Sequence, residues 1–254
     1  MEPIQETFLS HLIELRERLI RSLLAIGIML IPALYFSSEL YDIIAAPLMH
    51  ALPANSKMIA TGVITPFLIP MKIAALAAFL GALPYVLYQA WAFVAPGLYA
   101  HEKRLVLPLI VSSTLLFFAG MAFCYFIVFG RVFAFIAAFA PQSVNVSPDI
   151  EAYFNFVLGM FFAFGIAFEV PVVVVVLVIS GIINTRQLRE FRGYVVVGIF
   201  TLAAFITPPD AISMISLAVP MCLLYEAGIL AAQMVERRRR PAGEEGAAGA
   251  RPGE

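Results

Sequence analysis

The stretch from Phe154 to Gly181 decides the fold; it reads FNFVLGMFFAFGIAFEVPVVVVVLVISG. A helix of about 20 mostly apolar residues is long enough to cross a bilayer, and this run is longer. Its one ionisable side chain belongs to Glu169, and a charge near the membrane centre costs on the order of 2.5–3.5 kcal/mol. Pro171 leaves the carbonyl of Ala167 without its usual helical partner. The sequence therefore predicts a transmembrane helix in which Glu169 lies away from lipid.

Two interpretations of Glu169 follow from its position. In the first, Glu169 and the freed backbone beside Pro171 line a hydrated, polar groove inside the membrane. In the second, a protonated Glu169 forms a hydrogen bond with a neighbouring helix. Ionisable residues inside spans usually mark functional sites, so the sequence favours the groove.

The composition is typical of a membrane protein: 62% of the 254 residues are hydrophobic, 13% are charged, and the mean hydropathy is +0.94. The apolar segments lie at Leu19–Phe36, Ile73–Val94, Leu105–Val128, Phe154–Ser180, Tyr194–Ile206 and Ala211–Met234. The predicted fold is all-α, a polytopic membrane protein with about six transmembrane helices. The last two are predicted to be short and to form a hairpin that turns at residues 207–210.

Prolines and domain boundaries complete this prediction. The prolines inside the spans are expected to bend the helices into a concave wall; they are Pro32, Pro84, Pro171 and Pro220. Residues 1–18 are predicted to form a cytoplasmic amphipathic segment, residues 19–234 one membrane domain, and residues 235–254 a disordered tail. The segments Ser37–Met71 and Arg131–Tyr153 are expected to fold as caps over the outer ends of the spans.

Lys and Arg are distributed unevenly between the two ends of the predicted spans. With the N-terminus in the cytoplasm, every Lys and Arg except Lys57, Lys72 and Arg131 falls on the inner side. An excess of basic residues in cytoplasmic loops is the rule for membrane proteins. A single span made from the last two segments would place Arg237–Arg240 outside, so the pattern favours the hairpin and two cytoplasmic termini.

The sequence lacks the motifs of common enzyme classes. His11, His50 and His101 are scattered without metal-ligand spacing, and neither a phosphate-binding loop nor a nucleophile elbow is present. Cys124 and Cys222 lie in apolar stretches and are expected to be core residues. We therefore predict no enzyme, no metal and no cofactor. Any work must draw on binding energy or on the membrane potential.

Two acidic residues stand out on the basic inner side. Glu14 lies where the amphipathic segment meets the first span, and Glu102 lies in the loop between the second and third spans. An ion pair between Glu14 and Arg18 at i,i+4 spacing, worth about 0.3–0.5 kcal/mol, is the plain alternative to a binding role. For Glu102 the plain alternative is a solvated loop acid.

Four motifs occur in order around the predicted spans: HLIELRERL at His11–Leu19, PGLYAHEKR at Pro96–Arg104, FEVP at Phe168–Pro171 and TPPD at Thr207–Asp210. Together they resemble the TatC family, the multi-span receptor subunit of the twin-arginine protein translocase, over roughly residues 8–232. The resemblance implies a receptor for the twin-arginine signal peptides of folded cargo, driven by the proton-motive force. It also implies a multimeric complex with the single-span subunits TatA and TatB in a bacterial inner membrane, and no nucleic acid partner.

The resemblance extends to individual residues. Glu14 and Glu102 match the carboxylates that recognise the paired arginines, and Arg16 and Leu98 lie in the same two motifs as expected contacts of the signal peptide. Glu169, followed by Pro171, matches the acidic residue of a water-accessible concave groove.

The outer hairpin carries a departure from the family pattern. Thr207, Pro208 and Asp210 match the hairpin beside which partner helices are thought to dock, and the family often continues with Ser-Gln after two more residues. Here Ser213 is followed by Met214. A glutamine would offer a hydrogen bond worth about 0.6–2 kcal/mol inside the membrane, whereas Met214 can pack but cannot donate. Partner docking is still expected here, without that polar contact.

Two functions from other classes compete with this interpretation. A proton-coupled small-molecule transporter or flippase would use Glu169 as its coupling site, but it predicts an inverted repeat between the halves of the chain, and none is visible. A membrane-embedded hydrolase would need a nucleophile and a base at membrane depth, where the sequence offers only Glu169.

Overall fold

The structure is a computed structural model that describes residues 2–51, 57–94, 103–139, 147–206 and 211–239. Every regular element in these ranges is a helix, which confirms the predicted all-α class. The helices are α1 Glu2–Tyr35, α2 Ser37–Ala51, α3 Thr65–Val94, α4 Lys103–Phe123, α5 Phe129–Phe139, α6 Ile150–Phe168, α7 Val170–Ile179, α8 Thr185–Glu190, α9 Arg192–Ile206 and α10 Ala211–Arg239. A π-helical turn at Cys124–Val128 joins α4 to α5.

Each predicted apolar segment is helical, and the segment Phe154–Ser180 is divided between α6 and α7. The helical stretches that are long and apolar enough to cross a membrane are His11–Tyr35, Thr65–Phe93, Leu107–Phe135, Ile150–Ile179 and Met214–Glu236. The remaining segment, Arg192–Phe205, is apolar but shorter, as the sequence indicated for the fifth span.

The prediction that both C-terminal helices are short is wrong for the second of them. α9 has 15 residues, or about 22 Å at 1.5 Å per residue, whereas α10 has 29 residues, or about 43 Å. α10 continues through residues 235–239, which were predicted to belong to the disordered tail. Glu and Arg are good helix formers, so the helix does not end where the apolar residues end. The hydroxyl of Thr185 also donates a hydrogen bond of 2.9 Å to Glu236 near this end.

The N-terminal amphipathic segment and the first span form one continuous helix, α1. At the opposite end of the spans, α2 packs against α5 and α6, as expected for a cap. The hydroxyl of Tyr125 donates to the carbonyl of Ile43, and that of Tyr153 donates to the carbonyl of Ile44, each at 2.7 Å. These bonds hold α2 against the helices that follow it.

Asp149 connects the segment before α3 with the start of α6. Its side chain caps α6 by accepting the backbone N–H of Ala152 at 3.1 Å, and it accepts the hydroxyl of Thr61 at 2.9 Å. These hydrogen bonds, that of Ala152 first, lower the pKa of Asp149. Backbone hydrogen bonds between Ile59 and residues 148 and 150 complete the connection.

Pro171 interrupts the long apolar run, and Glu169 lies at the interruption. α6 ends at Phe168 and α7 begins at Val170, so Glu169 is the single residue between them. By contrast, α1, α3 and α10 continue through their prolines without a break. The concave wall that these prolines were expected to form stays a prediction.

Close contacts between helices fix the position of α10 against α7. Gly228 of α10 is buried, and a Cβ atom at this position would lie 2.8 Å from the Cα of Pro171. Only a glycine permits this approach without a shift of one helix.

A core of large side chains fills the space between α4, α5 and α6, including the fully buried Phe129, Phe154 and Phe164.

Candidate functional site

A chain of three polar side chains ends at Glu169. The indole N–H of Trp91 on α3 donates to the hydroxyl oxygen of Ser113 on α4 at 2.9 Å. The hydroxyl of Ser113 in turn donates to Oε2 of Glu169 at 2.7 Å. Ser113 is fully buried, and Glu169 is 9% exposed. These hydrogen bonds therefore connect α3 and α4 to the junction between α6 and α7. They hold Oε2 of Glu169 in place.

The other carboxylate oxygen, Oε1 of Glu169, is buried without a hydrogen-bond partner among the described residues. Glu169 also lies in the wall of a groove of about 560 Å³ between α7, α8, α9 and α10. The groove is lined by Ile166, Glu169, Val170, Val173, Val174, Leu177, Ile182, Ile183, Gln187, Leu188, Phe191, Val195 and Tyr225. Buried polar atoms normally have partners, so Oε1 is an unsatisfied acceptor among the described residues, in a side chain that borders a mainly aliphatic groove.

This geometry does not decide between the two sequence interpretations of Glu169. Ser113 on a neighbouring helix donates to Glu169, but the protonated Glu169 of the second interpretation stays a prediction. Glu169 lies in the wall of a groove whose lining is mainly apolar, so the polar groove of the first interpretation stays a prediction as well. Hydration of the groove stays a prediction. Pro171, two residues after Glu169, lies close to Gly228 of α10.

Glu14 on α1 forms the ion pair with Arg18 that the sequence offered as the plain alternative. Oε1 of Glu14 accepts Nε of Arg18 at 2.9 Å and Nη2 at 2.6 Å. Oε2 lies 3.7 Å from Nδ1 of His11. The side chain of Glu14 is 39% exposed and that of Arg18 is 23% exposed. Glu14 thus already binds one guanidinium group through two donors.

Arg18 also connects α1 to α3. Its Nη1 donates to the side-chain oxygen of Gln89 at 3.2 Å, and the amide nitrogen of Gln89 donates to the hydroxyl of Tyr85 at 2.8 Å. One turn further along α3, Phe93 stacks on the ring of His11 at 4.4 Å between centroids. The N-terminal part of α1 is thereby held beside the C-terminal end of α3.

The remaining residues expected to contact the signal peptide are Arg16, Leu98 and Glu102. Arg16 lies on α1 with its side chain exposed. Leu98 and Glu102 lie outside the described residues, between the end of α3 at Val94 and the start of α4 at Lys103. The proximity of Glu14 and Glu102 therefore stays a prediction.

The expected docking site for partner helices falls mostly outside the described residues as well. This applies to Thr207, Pro208 and Asp210, which separate α9 from α10. Met214 lies in the first turn of α10, half-buried and packed against the central core. Its packing agrees with a side chain that fills space and donates no hydrogen bond.

Three polar side chains of these sites were absent from the sequence prediction: Trp91, Ser113 and Gln89. Ser113 stands in a run of three hydroxyl residues, Ser112–Thr114, inside an otherwise apolar span, and this run was the available indication. No group of three or more His, Cys, Asp or Glu among the described residues is placed to hold a metal ion.

Comparisons with known proteins agree on one family. The family model described as "Sec-independent protein translocase protein (TatC)" matches residues 10–220. The protein of that name from Escherichia coli K12 is 47% identical over 224 residues, which are 88% of this chain and 87% of the relative. The one from Haemophilus influenzae is 44% identical over 231 residues, 91% of this chain and 90% of the relative.

A solved structure is similar over the same range. It is described as "Crystal Structure of Twin Arginine Translocase Receptor- TatC", is 39% identical, and superposes with a TM-score of 0.77. The match covers 89% of this chain and 100% of the crystallised one. The arrangement of helices described above is therefore that of a known membrane receptor.

Proposed function

The chain belongs to the TatC family of Sec-independent protein translocase proteins, and from that premise we propose that it is the receptor subunit that binds twin-arginine signal peptides. Its setting is the inner membrane of a bacterium, where it recognises folded export cargo. The observation that carries the proposal is the contact of Glu14 with a guanidinium group. A carboxylate at this end of α1 accepts two N–H donors of one arginine, at 2.6 and 2.9 Å, so the position suits arginine recognition.

Two carboxylates explain a preference for two arginines. Glu14 supplies one, and the family resemblance assigns the second to Glu102. A guanidinium group presents its donors as a planar fork, whereas a lysine ammonium is a point donor. A hydrogen bond to a charged group contributes about 1.5–3 kcal/mol. Two such sites are therefore enough to separate paired Arg from paired Lys.

We further propose that the chain assembles with the single-span subunits TatA and TatB, and that the proton-motive force drives export. α9 supports docking at the outer hairpin, because its 15 residues reach about 22 Å of a hydrocarbon core of about 30 Å. Leu202 and Phe205 near its outer end are exposed. A helix that is too short favours association with other helices or local thinning of the bilayer. The transporter or flippase alternative has the weaker support, since the family relatives are translocase proteins.

The proposed receptor function is tested with synthetic signal peptides. The purified chain in detergent is mixed with a photo-crosslinking peptide that carries either twin Arg or twin Lys. We expect at least about tenfold less crosslinking with twin Lys, since tenfold corresponds to 1.4 kcal/mol and two forked contacts are lost. Equal crosslinking of the two peptides would contradict the proposed function.

The proposed orientation is tested by labelling with a membrane-impermeant maleimide. Lys57→Cys and Glu245→Cys are made in a background in which Cys124 and Cys222 are Ala. Because the basic residues favour cytoplasmic termini, position 57 should react in intact cells and position 245 only after lysis. Labelling of position 245 in intact cells would overturn the topology, and reaction at position 57 is the positive control.

A further inference from the structure

The structure contains a competitor for the arginine-binding carboxylate within the same chain. We propose that the guanidinium of Arg18 occupies Glu14 in the absence of cargo, that an arginine of the signal peptide must displace it, and that Arg18 thereby lowers the affinity of the receptor for every peptide that uses Glu14. This inference rests on the proposed function of Glu14. It adds a residue that regulates access to that carboxylate.

The contacts of Glu14 show why a second guanidinium cannot simply be added. A bidentate contact uses both carboxylate oxygens. Oε1 already accepts both Nε and Nη2 of Arg18, so it is not free for the fork of a second guanidinium. Oε2 lies 3.7 Å from Nδ1 of His11, which is too far for a hydrogen bond, so Oε2 alone could accept a single donor. A cargo arginine gains its full fork only after Arg18 has moved away.

Arg18 differs from an ordinary surface ion pair because it has a second anchor. Its Nη1 donates to Gln89, which is 4% exposed and held by Tyr85. When Arg18 leaves Glu14, this amide oxygen on α3 keeps the guanidinium nearby. A competitor that stays attached acts at a high effective concentration, so it lowers the apparent affinity of every ligand that needs Glu14 by the same factor.

The same helix carries a pair that serves as a matched comparison. Arg21 donates to Glu17 at the same i,i+4 spacing, through one contact of 3.2 Å. Both side chains are more than half exposed, at 58% and 60%. Exposed pairs of this kind have little effect. A role of Arg18 as competitor therefore predicts that Arg18 and Arg21 behave differently when replaced.

Competition by Arg18 predicts how different peptides respond to its removal. A twin-Arg peptide and an Arg-Lys peptide that places its Arg at Glu14 both displace Arg18, so both lose the same internal contact. Removal of Arg18 should therefore strengthen their binding by the same factor, and the preference for twin Arg depends on the contact at the second proposed carboxylate.

The test measures binding of fluorescent signal peptides to the purified chain by anisotropy. For Arg18→Met we expect tighter binding of the twin-Arg peptide by about two- to fivefold, the range of a partly exposed ion pair. We expect the same gain for an Arg-Lys peptide, because loss of the competitor raises the affinity of every peptide that places an Arg at Glu14 by the same factor. Arg21→Met should change neither affinity. Arg18→Lys, which keeps the charge but loses the fork, should give an intermediate gain and serves if the Met variant fails to fold.

Three results would contradict the inference. Unchanged affinities in both Arg18 variants would make the pair purely structural. Weaker binding in both would mean that Arg18 positions Glu14 for cargo and does not compete with it. An equal gain in Arg21→Met would show that the effect is not specific to the pair of Glu14 and Arg18. If the parent protein itself does not distinguish twin Arg from twin Lys, that result contradicts the proposed receptor function, whatever the role of Arg18.

Discussion

Replacement of Glu14 by Lys should lower the affinity for a twin-arginine signal peptide by about 100-fold or more. The loss of a hydrogen-bonded contact with a charged group corresponds to about 1.5–3 kcal/mol, and tenfold corresponds to 1.4 kcal/mol. The new ammonium group also repels the cargo arginine and lies one turn from Arg18 on α1. Glu102→Lys should have the same effect at the second proposed carboxylate, and the anisotropy assay measures both.

Amide variants separate charge from shape at these two positions. Glu14→Gln and Glu102→Gln keep an oxygen acceptor but lose the negative charge, so we expect losses of about tenfold, smaller than for Lys. Glu17→Lys is the matched control, because Glu17 is an acid on the same helix with a side chain that is 60% exposed. It should bind peptide like the parent.

One result would contradict the assignment of Glu14 and Glu102 as the carboxylates that recognise the signal peptide. If Glu14→Lys and Glu102→Lys bind paired-Arg and paired-Lys peptides as the parent does, neither residue recognises the signal peptide. A defect in Glu102→Lys alone would place recognition in the segment before α4 and leave the Glu14–Arg18 pair with a structural role.

Local patterns in the sequence were sufficient to predict the helices and one of the ion pairs. Hydropathy over about 20 residues identifies a span, and i,i+4 spacing brings Glu14 and Arg18 together on any regular helix. The short α9 followed from a count of apolar residues. The end of α10 did not, because Glu and Arg continue a helix beyond the membrane.

Contacts between helices could not be predicted in the same way. Ser113 and Glu169 are 56 residues apart, and Arg18 and Gln89 are 71 residues apart. Whether two such side chains meet depends on the rotation and axial shift of each helix, which are set by ridge-and-groove packing along its length. The close approach of Gly228 to Pro171 is one such fit. A sequence shows that a glycine is present, but not which residue it will face.

Glu169 is expected to act in export through its polarity, so Glu169→Leu should reduce export of a folded reporter about tenfold or more. The hydroxyl of Ser113 is fully buried and donates to Glu169. Leucine would leave it without this acceptor and would make the groove beside α7 wholly aliphatic at that point. An unsatisfied buried polar group costs about 1–3 kcal/mol. Signal-peptide binding should stay near the parent level, since Glu14 lies on a different helix.

Glu169→Gln should retain more than about half of the export activity. Its amide oxygen can accept the hydroxyl of Ser113, and its nitrogen takes the place of Oε1, which has no partner among the described residues. Ser113→Ala should produce a smaller defect than Leu at 169. Ser112→Ala is its matched control, because the hydroxyl of Ser112 donates to the carbonyl of Leu109 on its own helix at 3.0 Å.

Export of the folded reporter into the periplasm is measured together with the amount of each variant in the membrane, so that loss of function is separated from loss of protein. Normal export by Glu169→Leu would show that a polar group is not needed beside Ser113. Equal failure of Glu169→Gln and Glu169→Leu would show that a fixed negative charge is needed instead. A defect in Glu169→Gln that disappears in Glu169→Asp would place that charge at the end of the hydrogen-bond chain from Trp91, because aspartate restores the carboxylate on a shorter side chain.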